Sequence, residues 1–330
     1  VFGGLLGEDF IFALNVLPVV IFLGAIIAAL YYFRVIQYFV EYVGSGIKWL
    51  MGTSKVESVW ATTVIFLGQS EAPLVIKPYL PKLTRSELYT CMVGGFASVA
   101  GSTLIGYSLL GAPLEYLLAA SLMNAPGSLL IAKGLMPETE ESNLDATVKD
   151  VRDNDSKNVI DAISSGAMAG GRIAISVACL LIAFIAMIAM LSAILGGIGS
   201  IFGQDNWSLE GLFGLFFAPV AWLIGVPWDD VTQVGSFIGQ KTILNEFVGY
   251  TAFGDNIDQL SDKAIMLSSF ALAGFANISS IGIQIGAIGG LVPERRGEIA
   301  KLGPKALVGG FLTNMLNAAI VGVIVAPMAL

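Results

Sequence analysis

The chain has 330 residues, of which 55% are hydrophobic and 13% charged, and its mean hydropathy is +0.80. Several apolar runs exceed the ~18 residues needed to cross a bilayer core, which excludes a soluble domain and predicts a multi-spanning membrane protein. The net charge of -8 argues against a nucleic-acid partner, which would require a basic face. The sequence contains no histidine, which excludes a Ser-His hydrolase and the usual histidine-containing zinc sites.

The first half of the chain combines complete spans with segments too short to span. Residues 10–33 are nearly charge-free and predict a full span, and residues 34–50 mix charges with aromatics, which is typical of an interfacial helix. Residues 54–82 contain two short apolar arms around a polar interruption at 68–73, and this pattern predicts a re-entrant hairpin. The half ends with a span interrupted at 98–102 and a complete span, at residues 86–110 and 114–133.

The second half repeats this order after a charged loop at residues 137–158. A long apolar helix is predicted at 165–197, ending at two glycines, and an interfacial segment at 205–212. A second hairpin follows at 213–252, with its tip near Asn245. An interrupted span and a final span are then predicted at residues 263–292 and 305–329.

The distribution of basic residues indicates that the two halves have opposite orientations. Nearly all loop Lys and Arg fall on one predicted side, and the opposite side receives Lys263 alone. By the positive-inside rule the first hairpin then enters from the cytoplasm and the second from outside. Inverted repeats with discontinuous helices near the midplane are typical of secondary transporters. The predicted fold is therefore all-α and polytopic, with two inverted repeats that each contain a re-entrant hairpin and a broken transmembrane helix.

The polar breaks carry the side chains expected to bind a solute. An ionisable residue at membrane depth is costly unless it meets a partner or a solute. Amides both donate and accept, and carboxylates accept from hydroxyls, so this set favours a neutral solute with hydroxyls and amide-like edges. Freed helix ends add sites for electronegative groups and for cations. The candidate residues are Gln69, Ser70, Glu71, Ser102, Thr103, Glu246, Asn277 and Ser280.

Two structural alternatives compete with this interpretation. Lys77 could pair with Glu71, and Lys241 with Glu246, as buried structural ion pairs. Each hydroxyl could also bond to a preceding helix carbonyl, as membrane-helix serines and threonines commonly do. Arg172 is assigned a structural or interfacial role.

Three stretches resemble the signatures of the concentrative nucleoside transporters. They are GQSEAPL at 68–74, GQK at 239–241 with NEFV at 245–248, and GFAN at 274–277 followed by two serines at 279–280. They occur in the order that the family has, and the resemblance covers essentially the whole chain from Val1. It also implies that the family's first helices would precede Val1.

The resemblance implies a cation-coupled nucleoside symporter, not an enzyme. It implies a homotrimer in the bacterial inner membrane, in which a mobile domain carries nucleosides such as uridine past a fixed scaffold into the cell. By resemblance, Gln69, Ser70 and Glu71 face the nucleobase with Thr103 beside them. Glu246, Asn277 and Ser280 hold the ribose hydroxyls, and Phe275 packs nearby. Thr103 departs from the aliphatic residue common in relatives and leaves the purine-versus-pyrimidine preference open.

The coupling ion is left as Na⁺ or H⁺, with no organic cofactor. By resemblance, the sodium ligands map to Val64, Leu67, Ser98 and Val99, mainly through backbone carbonyls. Sodium-coupled members carry Asn where this chain has Val64, and losing an amide oxygen weakens a site for a hard cation.

The resemblance also divides the chain into a scaffold and a transport domain. Scaffold and interfacial helices are expected at 1–52 and 159–212, the two repeats of the transport domain at 53–136 and 213–330, and a cytoplasmic loop at 137–158. A transporter or channel for another small neutral polar solute remains the alternative function. A channel requires an open polar lumen, whereas hairpin tips that oppose each other favour occlusion.

Overall fold

The computed structural model describes residues 11–77, 79–140, 156–204 and 207–325, and these residues form helices joined by turns, with no β-strand among them. The helices of the first half are α1 Phe12–Asn15, α2 Leu17–Tyr32, α3 Val35–Met51, α4 Lys55–Thr63, α5 Ala72–Val75, α6 Arg85–Ala97, α7 Gly101–Leu109 and α8 Leu114–Leu135. Those of the second half are α9 Val159–Ile201, α10 Leu209–Leu223, α11 Val231–Ile243, α12 Glu246–Asp255, α13 Asp262–Leu272, α14 Ile278–Leu291 and α15 Arg296–Val325.

The two halves have the same order of elements, as predicted. A long apolar helix (α2 or α9) is followed by a shorter one (α3 or α10) and then by a hairpin (α4–α5 or α11–α12). A broken helix (α6–α7 or α13–α14) and a final span (α8 or α15) complete each half. Within the described residues, five helices are long and apolar enough to cross a membrane. The all-α fold with two inverted repeats is confirmed.

Several predicted bounds differ from the structure. Of the segment expected at 205–212, residues 209–212 form the start of α10, Leu209–Leu223, and residues 205–206 lie outside the described residues, so the second hairpin begins only at α11. Gly225 adopts a φ of +95° just before Pro227, and this turn separates α10 from the hairpin. The glycines at 196–197 do not end α9, which continues to Ile201. Most of the loop expected at 137–158 lies outside the described residues.

The long helices α2 and α9 pack closely because glycines line their contact. A Cβ added at Gly166 would collide with Ala28 and lie 2.5 Å from the carbonyl oxygen of Gly24. A Cβ at Gly170 would lie 2.9 Å from the backbone of Ile21. Small residues allow this approach between membrane helices, where packing rather than water exclusion drives association. The pair forms a wall beside the hairpins.

Lys133, near the end of α8, links three helices of the first repeat, α4, α6 and α8. The Lys133 ammonium lies 2.6 Å from the Glu57 carboxylate of α4 and 2.9 Å from the Ser86 hydroxyl of α6. Glu57 also closes a capping box with Ser54 at the start of α4. Because Glu57 is 1% exposed, its charge depends on Lys133 for compensation.

Candidate functional site

The two hairpin tips are non-helical backbone at the ends of short helices. After α4 ends, residues 68–71 form a turn in which the amides of Glu71 and Ala72 donate to the Gly68 carbonyl at 3.1 and 3.0 Å. The second tip is shorter, because only residues 244–245 lie between α11 and α12. Asn245 caps α12 by accepting a hydrogen bond from the Val248 amide at 3.0 Å. Glu246 is therefore the first residue of a helix, where a carboxylate is favoured by the helix dipole.

The two broken helices cross at their breaks. The Phe275 amide donates to the Ser98 carbonyl at 3.1 Å, which joins the two breaks directly. Gly274 is required here, because a Cβ would collide with the Asn314 amide and lie 2.7 Å from the Ala97 carbonyl oxygen. The Asn314 Nδ2 in turn lies 3.0 and 2.9 Å from the Ala97 and Ala273 carbonyls. The carbonyls freed by the breaks are thus satisfied inside the protein, as membrane depth demands.

One cavity of about 280 Å³ lies where the four breaks converge. Hairpin tips, broken helices and the α9 wall all contribute to its lining. Glu71 and Glu246 both face this one space, although 175 sequence positions (246 minus 71) separate them. Every predicted substrate-binding residue lines it: Gln69, Ser70, Glu71, Thr103, Glu246, Phe275, Asn277 and Ser280. Ser102, the remaining polar candidate, lines a neighbouring cavity of about 490 Å³.

Hydrogen bonds across this cavity link the two repeats. The Gln69 amide donates to the Ser280 hydroxyl at 2.9 Å and accepts from Gln284 at 3.2 Å. The Glu246 carboxylate accepts from Asn277 Nδ2 at 2.7 Å and from the Tyr107 hydroxyl at 3.3 Å. Buried carboxylates need such donors. The cavity therefore offers oriented acceptors and amide edges, which suit a neutral solute that carries hydroxyls.

The comparisons with known proteins agree with this architecture. The family described as "Na+ dependent nucleoside transporter C-terminus" matches residues 116–322, and that described as "Nucleoside recognition" matches residues 13–114. The nucleoside permease NupC of Helicobacter pylori is 41% identical over 321 residues, covering 96% of this chain and 76% of the relative. This chain belongs to the concentrative nucleoside transporter family.

Other relatives and solved structures extend the match over the whole fold. The uncharacterized transporter YutK of Bacillus subtilis is 51% identical over 328 residues, covering 98% of this chain and 81% of the relative. CNTnw in an inward-facing, substrate-bound state aligns with a TM-score of 0.93 and 46% identity, covering 98% of this chain and 80% of that chain. A doubly substituted CNTnw in an outward-facing state aligns with a TM-score of 0.94, 45% identity and coverage of 99% and 80%.

The ion pairs considered as a structural alternative are not found among the described residues. The ion pairs found within 4 Å among the described residues include neither Lys77 with Glu71 nor Lys241 with Glu246. The fully buried Lys241 instead donates to Asn314 Oδ1 at 2.9 Å and approaches the Ala271 carbonyl at 3.4 Å. An ammonium is well placed beside carbonyls at the end of α13, because that end carries the negative pole of the helix dipole.

The alternative interpretation of the hydroxyls holds for some residues and not for others. The Thr103 hydroxyl donates to the Ala100 carbonyl at 2.9 Å, and the Ser98 hydroxyl donates to Gly95 at 2.9 Å. Ser280 instead accepts from Gln69 across the repeat boundary. Thr103 therefore has a local partner although it lines the cavity.

The residues assigned to sodium lie on two neighbouring segments. Contacts between the segments include the Gly101 amide, which donates to the Phe66 carbonyl at 3.1 Å. Backbone carbonyls are available from Val64, Leu67 and Val99, and the carbonyl of Ser98 already accepts from Phe275. Val64 adds no side-chain oxygen and is 2% exposed. The oxygens available to a cation here are backbone carbonyls and one serine hydroxyl, without the amide oxygen that asparagine would add at position 64, and this loss weakens a site for a hard cation.

Four further residues around the site escaped the motif-based prediction. Tyr107 and Gln284 form hydrogen bonds with predicted substrate-binding residues. Asn314 donates to a backbone carbonyl where the two broken helices cross. Arg172, assigned a structural or interfacial role, lines the cavity from α9. Each is a polar or charged side chain in an apolar helix, and that signal could have identified them as candidates.

Proposed function

We propose that this chain is a cation-coupled nucleoside symporter that moves nucleosides such as uridine into the cell by an elevator-type mechanism. One observation carries the proposal: the eight side chains selected from four separate breaks line a single cavity. Membership of the nucleoside transporter family supports the substrate class. The matches to CNTnw in inward-facing and outward-facing states support alternating access.

In this proposal the cavity binds the two parts of a nucleoside at different ends. Gln69, Ser70 and Glu71 of the first hairpin, with Thr103, bind the base through amide, hydroxyl and carboxylate groups. Ribose hydroxyls donate to Glu246, held in place by Asn277, and reach Ser280. Charge-assisted bonds from hydroxyls to a carboxylate are among the stronger hydrogen bonds available. Phe275 packs beside the ligand.

The proposed elevator moves both hairpins and broken helices against the α2–α9 wall, with the scaffold and transport domain divided as the resemblance implies. We propose that three copies assemble through this scaffold in the bacterial inner membrane. Apolar side chains that remain exposed on α9, such as Ile175 and Ile182, are free to face lipid or another copy.

The test is uptake into proteoliposomes with an imposed sodium gradient, a proton gradient, or neither. Concentrative, saturable uridine uptake in at least one gradient is expected, with a weak sodium dependence because of Val64. Flux that does not saturate and ignores both gradients would favour a channel. Failure of several nucleosides to compete for uptake or binding would favour another neutral polar solute.

A further inference from the structure

The α9 wall places one charged side chain at the cavity. Between residues 162 and 201 this 43-residue helix contains a single charged residue, Arg172. At 1.5 Å per residue, Arg172 lies about 20 Å from the start of α9, at the level of the hairpin tips that line the same cavity. Arg172, Ile173, Ser176 and Val177 line the cavity. An arginine at this depth is costly, and facing a cavity is a feature of functional residues.

Arg172 is an unengaged donor. In the part of the chain that the structure describes, no hydrogen bond or ion pair involves its guanidinium, although Glu71 and Glu246 line the same cavity. Other donors there are in use: Gln69 donates to Ser280 and Asn277 to Glu246. A guanidinium has five N–H donors and no acceptor, so it can serve only an acceptor on a ligand or a carboxylate.

Neighbouring contacts locate Arg172 toward the first hairpin. The adjacent Ile173 also lines the 490 Å³ cavity, together with Glu71 and Lys77 of the first hairpin region. Further along α9, Ile185 and Ala189 line cavities that they share with Thr251 and Asp255 of α12. The order along α9 therefore follows the order of the two tips. Arg172 lies toward the end of the cavity where the base is proposed to bind.

We propose that Arg172 is a substrate-selectivity residue, whose guanidinium donates a hydrogen bond to the exocyclic carbonyl oxygen of the bound base. This oxygen is O4 in uracil and O6 in hypoxanthine, and the first-hairpin residues leave it without a dedicated cationic donor. The inference rests on the proposed nucleoside transport. It assigns a scaffold residue to base recognition, so discrimination between bases is made partly by the wall that the hairpins face.

The test compares pairs of ligands that differ in the carbonyl and in the proton on the adjacent ring nitrogen. Binding to the purified protein is measured for uridine against 2-pyrimidinone riboside, which lacks O4, and for inosine against purine riboside, which lacks O6. Arg172→Gln should weaken uridine and inosine binding about tenfold, or about 1.4 kcal/mol, and the carbonyl-free analogues less than about twofold. Arg172→Lys, which keeps the charge, should recover part of the loss. Arg85→Gln, which removes an exposed arginine at the start of α6, is the matched control and should change neither pair.

The outcomes separate this inference from the proposed function. Equal weakening of all four ligands by Arg172→Gln, or no weakening of any, would overturn the carbonyl contact. Equal weakening would instead indicate a general electrostatic role, such as pairing with Glu71 during transport. If the unsubstituted protein binds none of the four ligands, nucleoside transport itself is wrong and the inference falls with it.

Discussion

Replacing Glu246 by Gln tests the ribose end of the cavity with little change in shape. The glutamine oxygen can still accept from Asn277, which lies 2.7 Å from the carboxylate, and its NH₂ can donate to the Tyr107 hydroxyl. The fold should therefore survive. A ligand hydroxyl, however, loses a charged acceptor. Hydrogen bonds to charged groups contribute ~1.5–3 kcal/mol, against ~0.5–1.5 kcal/mol for neutral ones.

The expected loss for a ribose that uses two hydroxyls is about 2 kcal/mol, or roughly 30-fold in affinity. Uridine binding to purified protein measures this loss, and concentrative uptake into proteoliposomes at low uridine concentration should fall by a similar factor. The 2′,3′-dideoxy analogue should bind the variant and the unsubstituted protein with similar, weak affinity, because it lacks the hydroxyls concerned. Glu294→Gln removes an exposed carboxylate between α14 and α15 and is the control for a change of charge alone.

Two results would refute this reasoning. One is uridine affinity and uptake unchanged in a correctly folded Glu246→Gln protein, which would place the ribose elsewhere. The other is an equal loss for uridine and for the dideoxy analogue, which would mean that Glu246 acts on the cavity as a whole. Monodisperse elution and an unchanged melting temperature establish that the variant is folded.

Three further predictions concern the coupling ion, the helix crossing and the α8 contact. Val64→Asn should introduce or strengthen sodium dependence of uptake by adding an amide oxygen, and an unchanged response would show that this side chain does not decide the ion. Gly274→Ala should lower the melting temperature because its Cβ meets backbone at the crossing, whereas the control Gly286→Ala, where nothing lies within 4 Å, should be neutral or stabilising. Lys133→Met should destabilise the fold by ~3–5 kcal/mol by leaving the Glu57 carboxylate unpaired, and the added Glu57→Gln change should restore part of that loss in the same unfolding assay.

The sequence alone predicted the fold class because membrane burial makes the relevant signals strong. Apolar length identifies spans, and a polar break within an apolar run is rare enough to be informative. The tips around Glu71 and Glu246 are therefore identifiable from the sequence. The bounds near α10 were less predictable, because the apolar sequence from Leu209 onward gives no sign of where one helix stops before the turn at Gly225.

Side-chain pairing was harder to predict than backbone architecture. Sequence proximity suggested that Lys241 pairs with Glu246, yet its ammonium bonds to Asn314 of α15, 73 positions away. That partner depends on where the broken helices cross, which is a property of the tertiary packing. The same reason applies to Tyr107, whose hydroxyl reaches Glu246 from the first repeat. Contacts between repeats cannot be read from either repeat alone.

The hydrogen bonds across the cavity indicate how ligand binding and closure are related. Gln69 bonds to Ser280 and Gln284, so the first hairpin is tied to α14 through groups that the proposed ligand also needs. A nucleoside that enters must replace these bonds with its own. The energy gained on binding is therefore a difference between two satisfied states and not the sum of the new contacts. Only a solute that matches the exchanged donors and acceptors can bind well, because any mismatch leaves a buried polar group without a partner.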